Sequence, residues 1–283
     1  MFDSITKDLR TVYGAESVAR WGLLALLHKK KELDATCEFV TTYIAHLKKA
    51  CKTLELVRPE PFLQNIFNYI LSDLPDIKLP ELKKEISRRI QEMQTYLEET
   101  DTRIAEIGSR KIKKNATVFT QGYSTSVERI LFKAHEFKIK FNVTVIETLP
   151  LHHGKIIAES LAKLNIPVTY FLDVSINEAI KVADIVLLGC VSIDEKGCYH
   201  RAGARTTAEL AKIHKKPLYI CADLFKRARK KKTTLPKLSQ EDLWKAPKGV
   251  TLYTDAFDCI PHTLITGIIC EEGILSPEEY LTL

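Results

Sequence analysis

Apolar positions change their period part-way along the chain. Up to residue 110 they recur at three- and four-residue steps. Val18, Trp21, Leu24, Ala25 and Leu27 make a broad apolar face within Glu16–Lys31, and Leu33–Leu56 continues in the same style. Arg58-Pro59-Glu60-Pro61 interrupts the pattern, and Phe62–Leu71 resumes it. Pro75 lies in a turn-rich link, while Pro80 suits the first turn of a helix. From there Leu82, Ile86, Ile90, Met93, Leu97, Ile104 and Ile107 predict one long amphipathic helix.

After Lys111–Asn115 the texture shortens. Strands are predicted at Thr117–Thr120, Asn142–Ile146, Val168–Leu172, Ile185–Leu188 and Pro217–Cys221. Helices at 125–136, Gly154–Leu164, Ile176–Val182 and Thr206–Ile213 alternate with them. A late strand-like run is expected at Val250–Tyr253, and a closing helix at Leu264–Glu271. Alternating strands and helices predict a parallel sheet covered on both faces. The expected fold is therefore α/β. An all-helical domain spans residues 1–111, and a Rossmann-like parallel-sheet domain spans 112–283. Ligands in such sheets sit beyond the carboxyl ends of the strands, at the point where strand order reverses. The 120–126 turn, Glu147–Thr148 and Gly189–Ser192 should gather there.

The turn Thr120-Gln-Gly-Tyr-Ser-Thr-Ser126 is the richest candidate. A strand feeding a hydroxyl-rich turn into a helix start is an anion site, because the first backbone N–H groups of a helix and its dipole point outward. A plain N-cap by Ser124 or Thr125, with no ligand, accounts for the same residues. No cysteine, histidine or carboxylate lies in the turn. Glu147 ends a strand at the ligand-facing edge, where it is a pocket candidate or a cap for the next segment.

Charge and composition narrow the classes. The chain has 283 residues, with 42 basic against 36 acidic, a balance too mild to imply nucleic-acid binding on its own. Lys226–Lys232 reads as a solvated loop without interleaved aromatics, so nucleic acid is not an expected partner. No apolar run approaches the ~18 residues of a membrane span, and the charged start lacks a signal-peptide core. A cytoplasmic protein without membrane contact is expected. Seven cysteines without CxxC spacing read as buried free thiols, so neither metal nor cofactor is expected.

The order of motifs resembles a known family. Thr120–Ser124, Val145-Ile-Glu-Thr-Leu-Pro150, Leu161–Thr169, Asp173-Val174 and Leu188-Gly-Cys-Val191 come first. His200-Arg-Ala-Gly-Ala204, Pro217–Asp223 and Pro261–Thr266 follow. Tyr13-Gly-Ala15 and Arg58-Pro59 extend the likeness more weakly into the helical half. This series resembles the regulatory subunits of eukaryotic translation initiation factor 2B. That family includes archaeal homologues, ribose-1,5-bisphosphate isomerases and methylthioribose-1-phosphate isomerases. Gln121–Ser124 and Leu164–Thr169 are most similar to the alpha-subunit branch.

The resemblance implies roles for particular residues. The isomerases are understood to use a cysteine in the first turn and an aspartate at a Gly-Ala-Asp strand end. Those positions are Gly122 and Val191 here, and neither carries a proton. Ser124, Thr125 and Ser126 keep the phosphate-holding hydroxyls, and Arg58 matches an arginine used against phosphate. Arg201 takes the place of a lysine, His200 of an asparagine and Leu149 of an arginine. Asp258 matches an acidic residue before the terminal proline. The implied function is an alpha-subunit-like regulatory and interaction protein. It would be a homodimer through its α/β half, presenting its helical half to a translation initiation factor or related subunits. Its pocket would hold a sugar phosphate without turning it over, with ligand residues Arg58, Ser124, Thr125, Ser126, Glu147, Arg201 and Asp258. The alternative is a divergent sugar-phosphate isomerase of the ribose-1,5-bisphosphate type, with Glu147, Cys190 or Asp258 as substitute groups.

Overall fold

The computed structural model describes residues 14–57, 60–228, 235, 237–238 and 240–283. The chain divides into two compact units, with the boundary between Glu99 and Thr100.

The first unit is helical. It contains α1 (Ala15–Thr36), α2 (Val40–Val57), α3 (Pro61–Leu71) and the first part of α4 (Leu79–Ser109). The predicted continuity of Leu33–Leu56 fails at Cys37, whose extended backbone (φ −94°, ψ 132°) ends α1. Tyr43, Leu47, Leu54, Phe62, Leu63, Ile66, Leu82, Ile86 and Ile90 are buried, as their spacing predicts. α1 and α3 approach closely because Gly22 lacks a side chain. A Cβ there would lie 2.4 Å from Leu63 Cδ1.

The second unit is a mixed sheet flanked by helices. In chain order it holds β1 (Thr117–Gln121), α5 (Thr125–Glu136), β2 (Asn142–Ile146), α6 (His153–Ala162), β3 (Val168–Phe171), α7 (Ile176–Lys181) and β4 (Ile185–Gly189). It continues with β5 (Ser192–Asp194), β6 (Gly197–Arg201), α8 (Ala204–Ile213), β7 (Leu218–Cys221), α9 (Gln240–Leu243), β8 (Phe257–Ile260), β9 (Gly267–Cys270), β10 (Gly273–Leu275) and α10 (Pro277–Thr282). The large sheet has the order β10-β9-β7-β4-β1-β2-β3. All its pairings are parallel except β10 with β9.

Alternate residues of one strand serve opposite faces. Phe119, Val186, Leu188, Ile220 and Ile268 join one core with Ala179, Ala208 and Tyr280. Val118, Val143, Val145, Leu187 and Ile269 join the other with Ile130, Leu131, Ile157 and Leu161. Both faces are thus covered, as a parallel sheet requires.

Two expectations are corrected. Leu264–Glu271 is not a helix: a short turn at His262–Leu264 leads into β9, which pairs with β7. A brief apolar run bounded by glycine and rich in isoleucine fits a buried strand better than a helix. Val250–Tyr253 is not a strand. Strands β5, β6 and β8 were not anticipated, and they form a separate antiparallel sheet in the order β5-β6-β8.

Candidate functional site

From β1 the chain proceeds outward through β2 to β3, then returns to β4 on the other side of β1. The strand order therefore reverses between β1 and β4, and the 120–126 turn stands at that switch point. Ser124 is the N-cap of α5, its Oγ accepting the Val127 N–H at 3.4 Å. The cap sits directly over the end of β4: a Cβ on Gly189 would lie 2.3 Å from Ser124 Oγ. Thr125 is half-buried and Ser126 is buried. The N-cap expected of this turn is therefore present, with Ser126 turned inward.

Gly122 adopts a left-handed conformation (φ 68°), which favours glycine. Its N–H donates to Thr148 Oγ1 at 3.0 Å, and that hydroxyl donates to the Ile146 carbonyl at 3.2 Å. Thr148 is held in turn by Asp173. One carboxylate oxygen accepts the Thr148 N–H and the other the Leu149 N–H, each at 2.8 Å. Gln121 ties β1 to the start of α8: its Nε2 donates to the Ala202 carbonyl at 3.1 Å, and its Oε1 accepts the Thr207 hydroxyl at 2.5 Å. Charged and buried amide partners of this kind make the loops after β1, β2, β3 and β6 a single cross-bonded floor.

The small sheet brings His200 and Arg201 against that floor. A side chain built on Gly122 would begin 3.6 Å from His200 Cε1 and 3.9 Å from both Arg201 Cγ and Thr148 Cγ2. These are ordinary contact distances, so the backbone conformation rather than crowding restricts position 122. His200 is 5 % exposed, and its Nδ1 has no hydrogen-bond partner. Burial pushes the imidazole down to about 4, so the ring is neutral at pH 7. The Arg201 guanidinium stacks over the Phe257 ring, 4.5 Å from its centroid.

Other predicted site residues have internal partners. Asp258 lies opposite His200 in the β6–β8 register, but its Oδ2 accepts the Gly203 N–H at 2.6 Å and the Arg205 N–H at 3.4 Å. It supplies the negative charge at the start of α8. Glu147 Oε1 is 2.8 Å from His152 Nδ1. Its charge also helps raise the Tyr170 phenol, after burial, which places Glu147 toward β3. Cys190 packs in the core and lies beside Cys198, whose thiol is raised by burial and by that neighbour. Val191 is half-buried and donates its N–H to the Tyr199 carbonyl at 2.9 Å. Arg58 lies outside the described residues.

One loop reading changes. Lys226 was expected in a solvated run, yet it is buried, with Nζ 3.4 Å from an equally buried Asp223 carboxylate. Residues 229–232 of that run lie outside the described residues. His153, beside the partly exposed His152, is buried at the start of α6. Gly154 next to it is required, since a Cβ there would come within 2.0 Å of the Ile146 carbonyl.

Cavities of about 510 and 650 Å³ open at the opposite, amino-terminal edge of the sheet. They are lined by lysines 111, 113, 114, 138 and 140 together with Tyr219 and Phe141. Neither touches the cross-bonded loops. Among the described residues no group of three or more His, Cys, Asp or Glu side chains is arranged to hold a metal ion. No described helix is long and apolar enough to cross a membrane.

Sequence reasoning missed His200 as a functional group and Asp173 as a builder of the site, and it placed Gln121 and Thr148 there without their bonding roles. His200 is separated from Gly122 by 78 positions, and only the β5–β6 hairpin folds it back. The signal available was Asp194-Glu-Lys-Gly197, a polar turn between two short β-prone runs.

The sequence model of the Initiation factor 2 subunit family matches residues 11–277. A ribose 1,5-bisphosphate isomerase of Archaeoglobus fulgidus is 27% identical over 279 residues, covering 94% of this chain and 86% of that protein. A Pyrococcus furiosus protein named as translation initiation factor eIF-2B subunit 2-like is 26% identical, covering 94% of this chain and 92% of its own length. The crystal structure of a Pyrococcus horikoshii translation initiation factor eIF-2B superposes with a TM-score of 0.85, at 21% identity, over 99% of this chain and 98% of that one.

Proposed function

This chain belongs to the Initiation factor 2 subunit family, and we propose that it is a phosphorylated-pentose isomerase of divergent chemistry, acting on ribose 1,5-bisphosphate or a close analogue. The relatives favour this over the regulatory role expected from the motifs alone. The Archaeoglobus protein, similar along nearly the whole chain, carries the isomerase name.

The observation that carries the reading is the cross-bonded floor at the switch point. The Gly122 N–H to Thr148 bond and the two Asp173 bonds fix the loops after β1 and β2 in one arrangement. Loops held in one geometry before a ligand arrives are what a positioned reaction needs. Over the floor lie a neutral imidazole and Arg201. Beside it is the start of α5, a twelve-residue helix whose N-terminal dipole favours phosphate. A cation and a helix start are the elements that hold phosphoryl oxygens.

A second reading has its own support. Gly122 and Val191 stand where the resemblance places the isomerases' cysteine and aspartate. On that reading the chain holds the phosphorylated sugar without converting it and serves as an interaction protein of the translation-factor type.

Binding is tested by thermal unfolding of the full chain with ribose 1,5-bisphosphate, ribose 5-phosphate and ribose. At a hundredfold excess over Kd a ligand bound only by the folded chain stabilises it by ~2.7 kcal/mol, a rise in Tm of roughly 5 °C. The bisphosphate should give the largest shift and ribose none. Equal shifts, or none with any of the three, contradict the phosphorylated-pentose site.

A further inference from the structure

The turn after β1 holds no cysteine, histidine or carboxylate, yet an imidazole stands beside it. His200 comes from β6, on the other sheet, and its Cε1 lies 3.6 Å from where a Cβ on Gly122 would be. A side chain at position 122 and the imidazole of His200 therefore address the same small volume. Three features separate this imidazole from an ordinary core histidine. It is buried, its Nδ1 has no partner, and its Cε1 borders the space beside Gly122, which Thr148 Cγ2 and Arg201 Cγ also border. A buried polar atom without a partner bears its desolvation penalty uncompensated, so a ligand group that meets it gains correspondingly.

We propose that His200 is a catalytic residue of this site, standing in from the opposite sheet for the side chain that Gly122 lacks and moving the proton between adjacent carbons of the sugar phosphate. This inference rests on the isomerase reading above. The step balances without an oxidant or reductant. The imidazole takes the proton from C2. The C–H electron pair becomes the C1=C2 bond of an enol phosphate as the bond from C1 to the ring oxygen breaks, and the released oxygen gains a proton from water. The imidazolium then delivers its proton to C1, and the C2 hydroxyl loses its proton to water to become the new carbonyl, so C1 keeps its phosphate throughout.

The charged groups around His200 suit this role. Arg201, adjacent in β6, disfavours the imidazolium until an anionic ligand arrives. Asp258, across the β6–β8 pair, has its charge engaged by the Gly203 and Arg205 N–H groups. Asp194 on β5 accepts the Tyr199 hydroxyl at 3.0 Å and the Lys196 N–H at 2.9 Å. Burial holds the free ring neutral down to about pH 4, which makes it a base of carboxylate strength. A bound phosphate raises its proton affinity and so stabilises the intermediate imidazolium.

The test compares wild-type chain with His200→Asn and His200→Gln. Conversion of ribose 1,5-bisphosphate is followed by NMR, and binding by thermal shift. Both variants should keep the ligand-induced shift while kcat falls by roughly 10²–10⁴-fold, as for loss of a general base. The acid limb of the wild-type pH–rate profile should disappear from any residual activity. The glutamine variant keeps polarity and bulk, so it separates lost proton transfer from lost packing. Turnover within threefold of wild type in either variant, with an unchanged pH profile, overturns the inference and leaves the isomerase reading intact. A wild-type chain that binds the compound without converting it overturns the inference and the isomerase activity, leaving only the pocket. One that does not bind it overturns all three.

Discussion

At the scale of single residues, a buried neutral histidine leaves a mark on stability as well as on chemistry. His200 titrates near 6.5 in the unfolded chain and near 4 in the folded one. Between those values the unfolded chain binds more protons, so stability falls as pH drops from about 6.5 to about 4, and this contribution is exhausted below that. The loss is about 3 kcal/mol, at ~1.4 kcal/mol for each pH unit between about 6.5 and about 4. Urea unfolding across this window should show the slope in wild type and a flatter line in His200→Asn. Parallel lines would mean that His200 is not buried in the neutral form. Residue chemistry was partly legible beforehand. Ser124 as cap follows from hydroxyls before an amphipathic run, and Gly122 is visible as a glycine in a turn. His200 was not legible as a site group, because nothing local distinguishes it from any histidine in a strand. Lys226 misled for the related reason that a basic run hides which of its members finds a buried carboxylate.

At the scale of elements, the site depends on how tightly loops lie over strand ends. Gly189 is the clearest case, since an added Cβ would overlap Ser124 at 2.3 Å from Oγ and 2.5 Å from Cβ. Gly189→Ala must push the cap of α5 off the end of β4. We expect a loss of about 2 kcal/mol in unfolding free energy, as overpacking and cap loss typically cost, together with loss of the ligand-induced thermal shift. Unchanged stability and unchanged shift would show that the turn can move without consequence. The parallel strands were readable because each is a short apolar run between helices with a 3.6-residue period. The β5–β6–β8 sheet was not. Its strands are three to five residues long, and β8 pairs with β6 across more than fifty residues of intervening chain. Pairing over such a distance is set by packing rather than by any local pattern. The Leu264–Glu271 segment is too short for its period to separate a buried strand from a helix turn, and only its flanking glycine and its isoleucines favour the strand.

At the scale of the molecule, a Rossmann-like unit offers its switch point to a ligand, and the loops there are cross-bonded before any ligand arrives. Fold and family were legible from the order of loose motifs along the second half. The division of labour between pocket and chemistry was not, because the proton-exchanging group comes from a different sheet than the motif that suggests it. The central claim is that this arrangement converts a phosphorylated pentose rather than merely holding it. Incubating the full wild-type chain with ribose 1,5-bisphosphate and following the sugar carbons by NMR tests this most directly. Steady loss of the phosphorylated anomeric C1 signal and growth of an isomeric ketose phosphate are expected, at a rate proportional to the amount of chain. Saturable binding with no new signals over many hours at stoichiometric protein would contradict it.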